Sequence, residues 1–166
     1  SQKLSLYYSY IMSCFGYCPV IWTFSGKSSN TLINRVQRKA LRAVYNDYDS
    51  NFEQLLEKGD HFTIHQMNLR SLLVEVYKCV NNINPSFLTS IFQYKNLTYN
   101  LRRSNLLILP YTRTISYGLN SFKYRGSITW NNLPDDIKKC ETKYKFKIEL
   151  KKQKVIKCTC HICNST

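Results

Sequence analysis

Residues 28–45 read Ser28-Ser-Asn-Thr-Leu-Ile-Asn-Arg-Val-Gln-Arg-Lys-Ala-Leu-Arg-Ala-Val-Tyr45, and their spacing decides the fold class. Ser28 or Ser29 can cap a helix here, and Leu32, Val36, Ala40, Ala43 and Val44 recur at three- and four-residue intervals as an apolar stripe. Arg35, Arg38 and Arg42 fall at i, i+3 and i+7 with Lys39 beside them, so four cations share one flank. Such a flank lies within reach of a phosphate backbone, and it also suits an ordinary solvated helix face.

Upstream, residues 4–24 contain no charged side chain. A membrane span needs about 20 apolar residues, but Ser, Gly, Pro, Cys and Thr dilute this run, and its aromatics lie throughout rather than in two belts. It reads as a buried helix, or as a helix broken near Gly16 and Pro19, with no membrane partner. Downstream, a short helix is expected around Phe52–Lys58, ending at Gly59, and a longer one from Thr63 to Val80. The latter would turn Ile64, Met67, Leu72, Leu73, Val76 and Val80 inward and stop at Asn81-Asn-Ile-Asn-Pro85. Pro85 begins a further short segment that can form another helix. From about residue 95 the texture changes to short β-prone runs, Leu106–Leu109 and Thr112–Tyr117, mixed with Arg and Lys. A basic helix follows over Lys143–Lys157, carrying Tyr144, Phe146, Ile148 and Leu150.

The expected fold is therefore mainly α, a helical N-terminal half with a smaller irregular half of short strands and helices. Its divisions are a helical region 1–94, a basic and aromatic region 95–152 and a Cys-rich tail 153–166. Charge follows the same course: residues 1–60 hold 7 basic and 5 acidic groups, residues 61–125 hold 8 and 1, and residues 126–166 hold 9 and 4. The formal net charge of +14 over 166 residues, with 14% aromatics, points to a polyanion partner, most simply nucleic acid. Ser1 opens the sequence and the earliest Met is Met12, so it reads as a piece of a longer chain. Seven scattered Cys do not make a secreted disulfide framework, and no secretory signal is visible, so an intracellular, reducing setting is expected.

Few groups offer catalysis. Asp135-Asp136 follows Pro134, where a helix dipole favours acids without any metal. Tyr45-Asn-Asp-Tyr48 lacks the second Asp of a polymerase turn. Asp47, Asp49 and Asn51 begin like a calcium loop, but Phe52 and Lys58 stand where Gly and Glu belong. His61 and His65 have helical zinc-pair spacing, without the Glu that would make a metalloprotease of them. The tail is a better candidate: Cys158, Cys160, His161 and Cys163 are soft ligands for Zn²⁺, though four ligands in six residues cannot all reach one tetrahedron without strain. The best nucleic-acid candidate is the stretch from Tyr94 to Trp130. Arg102, Arg103, Arg113, Lys123 and Arg125 can meet phosphates there, while Tyr111, Tyr117, Phe122 and Tyr124 can stack on unpaired bases or form a small core.

Arg102-Arg-Ser104, Leu109-Pro110 with Arg113-Thr114, Ser121-Phe-Lys-Tyr-Arg-Gly126 and Trp130-Asn-Asn-Leu-Pro134 stand in the order and spacing of a known family. So do Tyr17-Cys-Pro-Val-Ile-Trp22 and Val36-Gln-Arg-Lys-Ala-Leu-Arg42. Together they resemble the C-terminal region of reverse transcriptases from non-long-terminal-repeat (LINE-like, jockey/CR1-type) retrotransposons. The resemblance implies an RNA-directed DNA polymerase whose nuclease, fingers and Mg-binding palm lie upstream of this segment. This chain would then be the thumb and the region after it, without catalytic residues and needing no cofactor of its own beyond zinc in the tail. Its partners would be RNA or DNA and the upstream polymerase domains, in the nucleus or cytoplasm. Arg35, Arg38, Lys39 and Arg42 would form one phosphate-binding patch, and Arg102, Arg103, Arg113 and Arg125 a second. A scaffold that only completes the polymerase fold, or a degenerate retroelement remnant, would carry the same motifs.

Overall fold

The computed structural model describes residues 2–95, 105–114, 117–153 and 156, and the regular structure among them is almost all helical. The chain packs as two compact units, Ser1–Asn68 and Leu69–Cys160. The division falls inside a helix, upstream of the compositional change near residue 95.

In the first unit, α1 (Gln2–Leu6) runs without a break through a π-helical stretch, Tyr7–Met12, into α2 (Ser13–Gly16). A π turn aligns residues five apart, and Tyr7 and Met12 are the buried pair of that stretch. The helix stops at Gly16, Cys18 takes a left-handed conformation (φ 47°), and Pro19 opens α3 (Pro19–Trp22). The expected break near Gly16 and Pro19 is thus present, whereas a buried helix is not: Tyr10, Tyr17 and Ile21 all stay exposed. Among the described residues no helix is long and apolar enough to cross a membrane.

Helix α4 (Lys27–Tyr45) begins one residue before the expected caps. Gly26 stands at its N-cap without a side-chain bond, so Ser28 and Ser29 sit inside the first turn. Its buried residues are Asn30, Ile33, Gln37 and Leu41, while Leu32 and Val36, expected inward, are 58% and 48% exposed. The helix is rotated about its axis because Gln37 belongs inside. Its Nε2 donates to the Phe62 carbonyl (2.9 Å) and the Tyr7 hydroxyl (3.2 Å), and its Oε1 accepts from the Ile64 N–H (3.2 Å). With its amide satisfied on both sides, a polar residue can occupy a core position. At the other end Asn46 turns left-handed (φ 50°), and the Lys3 ammonium donates to the Ala43 carbonyl and to Asn46 Oδ1, offsetting the negative helix terminus.

Helix α5 (Phe52–Lys58) follows from a capping box in which Asn51 and Gln54 exchange backbone and side-chain bonds, both at 2.9 Å. Its Leu55 joins Tyr7, Met12, Ile33, Leu41 and Ile64 in the core of the first unit.

Helix α6 (Ile64–Val80) starts in the first unit and supplies Leu69, Leu72, Leu73, Val76, Tyr77 and Cys79 to the interior of the second. There α7 (Ser86–Thr89) follows Pro85. An isolated antiparallel bridge joins Tyr94 to Leu107, the sole β pairing among the described residues. Of the two β-prone runs, Leu106–Leu109 makes this bridge and the described part of Thr112–Tyr117 makes none. Asn131 stands in for a strand, accepting the Leu107 N–H (2.8 Å) and donating to its carbonyl (3.0 Å). Helices α8 (Phe122–Asn131), α9 (Asp135–Lys138) and α10 (Lys143–Lys152) complete the unit, α8 and α10 being capped by Ser121 and Thr142. Phe146 of α10 stacks on Tyr77 with centroids 4.4 Å apart, and Trp130 lies 6.0 Å away. Arg70 donates to the Leu150 and Gln153 carbonyls, so α6 supplies a donor to the last turn of α10 and to the residue after it.

Candidate nucleic-acid interface

Helix α4 has five cations, Lys27, Arg35, Arg38, Lys39 and Arg42, and no carboxylate. At about 100° per residue, the last four fall within roughly 100° of arc, on the side away from Ile33, Gln37 and Leu41. Arg35 and Lys39 are exposed; Arg38 and Arg42 are half-buried. None of the four belongs to an ion pair among the described residues, and Arg42 Nη2 donates weakly to the Ser50 carbonyl at 3.4 Å. The five acids of the first unit all lie between Asp47 and Asp60, beyond the end of α4. This is a segregated field of positive charge rather than a face laced by i,i+4 pairs.

The second expected patch is only partly assembled. Arg102 and Arg103 lie outside the described residues, and Arg113 is exposed. Arg125 requires a correction, since it is 7% exposed and its Nη2 donates to Asn120 Oδ1 at 2.9 Å. Ser121 fixes the start of α8, and that phase turns Arg125 inward beside Gly126, Thr129 and Trp130, so it presents no charge at the surface. The four aromatics divide in the same way. Phe122 packs edge-on against Phe92 with centroids 5.3 Å apart, and Tyr124 is half-buried. Tyr111 and Tyr117 are 89% and 85% exposed and remain available for stacking. No carboxylate occurs between Glu75 and Asp135 to neutralise this stretch.

Several of the candidate acids and histidines have structural partners. Asp47 accepts from the backbone N–H groups of Asp49 and Ser50, from Ser50 Oγ and from Lys58. The Lys58 ammonium, followed by the Ser50 bonds, holds its carboxyl well below the usual range near 3.8. Asp135 pairs with Lys138 at 3.2 Å in the first turn of α9. His61 bridges two phenols, Nδ1 to Tyr8 (2.9 Å) and Nε2 to Tyr45 (2.7 Å), so neither nitrogen is free for a metal. Burial lowers its pKa, partly opposed by Asp60. His65 is buried.

Among the described residues no three His, Cys, Asp or Glu side chains gather as a metal site. The tail set Cys158, Cys160, His161 and Cys163 lies outside them. A groove of about 500 Å³ in the first unit, lined by residues including Lys3, Leu6, Tyr10, Ala43 and Tyr48, has no carboxylate, thiol or imidazole in its wall. Its chemistry is apolar contact. Sequence reasoning missed Gln37 and His61 as organising residues, because an isolated polar side chain gives no periodic signal.

Compared with protein-family models, with curated proteins and with solved structures, the chain matches none.

Proposed function

We propose that this chain is a non-catalytic nucleic-acid-binding segment, the thumb and following region of a non-long-terminal-repeat reverse transcriptase, which grips the backbone of template RNA or target DNA. The observation that carries this reading is the acid-free cationic face of α4, with Arg35, Arg38, Lys39 and Arg42 in no ion pair among the described residues. Its partners are then RNA or DNA and the polymerase domains of a parent protein inside the cell, with Mg²⁺ belonging to that parent's palm. Phosphate contacts position a duplex or strand without reading its sequence, so binding is weakly selective.

A scaffold role draws on Leu32 and Val36, exposed beside the cations, which suit docking to another domain. The two readings separate in one titration of a labelled 20-nucleotide RNA and the matching duplex by fluorescence anisotropy. If α4 binds phosphates, R35Q/R38Q/K39Q/R42Q weakens binding by about tenfold or more at moderate salt. Equal affinity for variant and wild type overturns the nucleic-acid role of α4 and leaves the scaffold.

A further inference from the structure

Helix α10 carries five lysines, and Glu149 within it and Glu141 just before it account for two of them. Lys145 pairs with Glu141 (3.8 Å) and Lys152 with Glu149 (2.6 Å). Lys143, Lys147 and Lys151 are all exposed and enter no ion pair among the described residues. They stand at i, i+4 and i+8, a row about 12 Å long at one cation per turn. On the adjoining ridge are Tyr144, 73% exposed, and Ile148, 37% exposed. Tyr144 makes no ring contact among the described residues.

A basic helix with apolar residues also suits an anionic membrane surface, where its apolar face would enter the headgroup layer. Here that face is already used: Phe146 and Leu150 are buried in the second unit, Phe146 against Tyr77 and Trp130. What remains outward is a line of ammonium groups with one ring beside it, which matches successive phosphates of a nucleic-acid strand better than an acyl layer. The helix is also held in place, since Thr142 caps its start and Arg70 donates to the Leu150 carbonyl in its last turn and to the Gln153 carbonyl just beyond it.

We infer that Lys143, Lys147 and Lys151, with Tyr144, form a second phosphodiester-binding surface, on α10. The inference rests on the nucleic-acid reading above and adds a surface to it. Three phosphate contacts release counterions worth about 0.7 (single strand) to 0.9 (duplex) each in the slope of log K against log[salt].

The test uses the full chain with labelled single-stranded RNA, single-stranded DNA and duplex DNA over a range of NaCl. K143Q/K147Q/K151Q should flatten the slope by about 2 to 3 and weaken binding by about tenfold or more. E141Q/K145Q, which removes a paired cation without changing net charge, should stay within about twofold of wild type. As a measurement free of variants, bound RNA or DNA should shield Lys143, Lys147 and Lys151 from amine acetylation, read by mass spectrometry, several-fold more than Lys145. An unchanged slope in the triple variant, with R35Q/R38Q/K39Q/R42Q clearly weakened, overturns the α10 surface alone. Absence of any binding by the wild type overturns both readings. Loss of binding to phosphatidylserine vesicles, with nucleic-acid binding intact, would assign the row to lipid and overturn the inference.

Discussion

The side chain of Gln37, fully buried in the middle of α4, accepts the backbone N–H of Ile64 at 3.2 Å. Ile64 is the first residue of α6, and its N–H is one of the donors that a helix start leaves without an intrahelical acceptor. The same amide donates to the Phe62 carbonyl at 2.9 Å, so one side chain closes the turn that leads into α6. Gln37→Leu keeps the volume but removes the acceptor of the Ile64 N–H and the amide donor to the Phe62 carbonyl. The expected loss is about 3 kcal/mol, since an unsatisfied buried group costs about 1–3 kcal/mol. Urea denaturation followed by circular dichroism measures it, and a variant as stable as wild type would contradict this role.

Gly126 in α8 packs directly against Phe92 and Val76 in the second unit. A Cβ there would stand 2.9 Å from both Phe92 Cζ and Val76 Cγ2. Gly126→Ala is therefore an overpacking change, expected to destabilise by about 1–3 kcal/mol although alanine favours helix. A gain in thermal midpoint would show that Phe92 moves aside freely.

These two residues also show what the sequence makes legible. Gly126 stands within Ser121-Phe-Lys-Tyr-Arg-Gly126, and the helix expected around Phe52–Lys58 and ending at Gly59 has its observed bounds, which the Asn51–Gln54 capping box found in the structure explains locally. The break at Gly16 and Pro19 was legible for the same reason, since glycine and proline act on their own backbone. The face of α4 was not. Hydrophobicity places Leu32 and Val36 inward and Gln37 outward, and only partners 25 to 30 positions away in sequence, Phe62 and Tyr7, reverse that choice. The inward turn of Arg125 depends likewise on the phase set by Ser121 and on Asn120. Cation identity could be read from sequence; which cations face solvent could not.

Asp47 makes stability depend on acid. Its folded pKa lies below the unfolded value near 3.8, chiefly through Lys58, so ionised Asp47 stabilises the fold above that pH. That contribution is lost as pH falls below about 4 toward the depressed folded value. Asp47→Asn should be less stable than wild type at neutral pH and lose less stability on acidification. Parallel curves for the two proteins between pH 6 and pH 3 would refute the Asp47–Lys58 linkage.

His61 acts in a higher window. Burial lowers its folded pKa below the ordinary 6.5, so its neutral form, which bridges Tyr8 and Tyr45, is favoured in the fold. Its contribution is complete above about pH 6.5 and declines as pH falls, because the unfolded chain takes the proton more readily. His61→Phe should remove that decline while costing about 1–2 kcal/mol at pH 7.5 for the two lost bonds. Denaturation of both proteins at pH 7.5, 6.5 and 5.5 checks the sign; a wild type that gains stability relative to the variant on acidification would contradict it.

The central claim is that the cations of α4 hold a phosphate backbone. It is tested most directly by the salt dependence of RNA affinity, measured for wild type and for R35Q/R38Q/K39Q/R42Q on the same labelled strand. With four phosphate contacts, log K should fall against log[salt] with a wild-type slope of about −3 or steeper, and the variant should be flatter by about 3. A flat wild-type slope, or an equal slope in the two proteins, would contradict the claim.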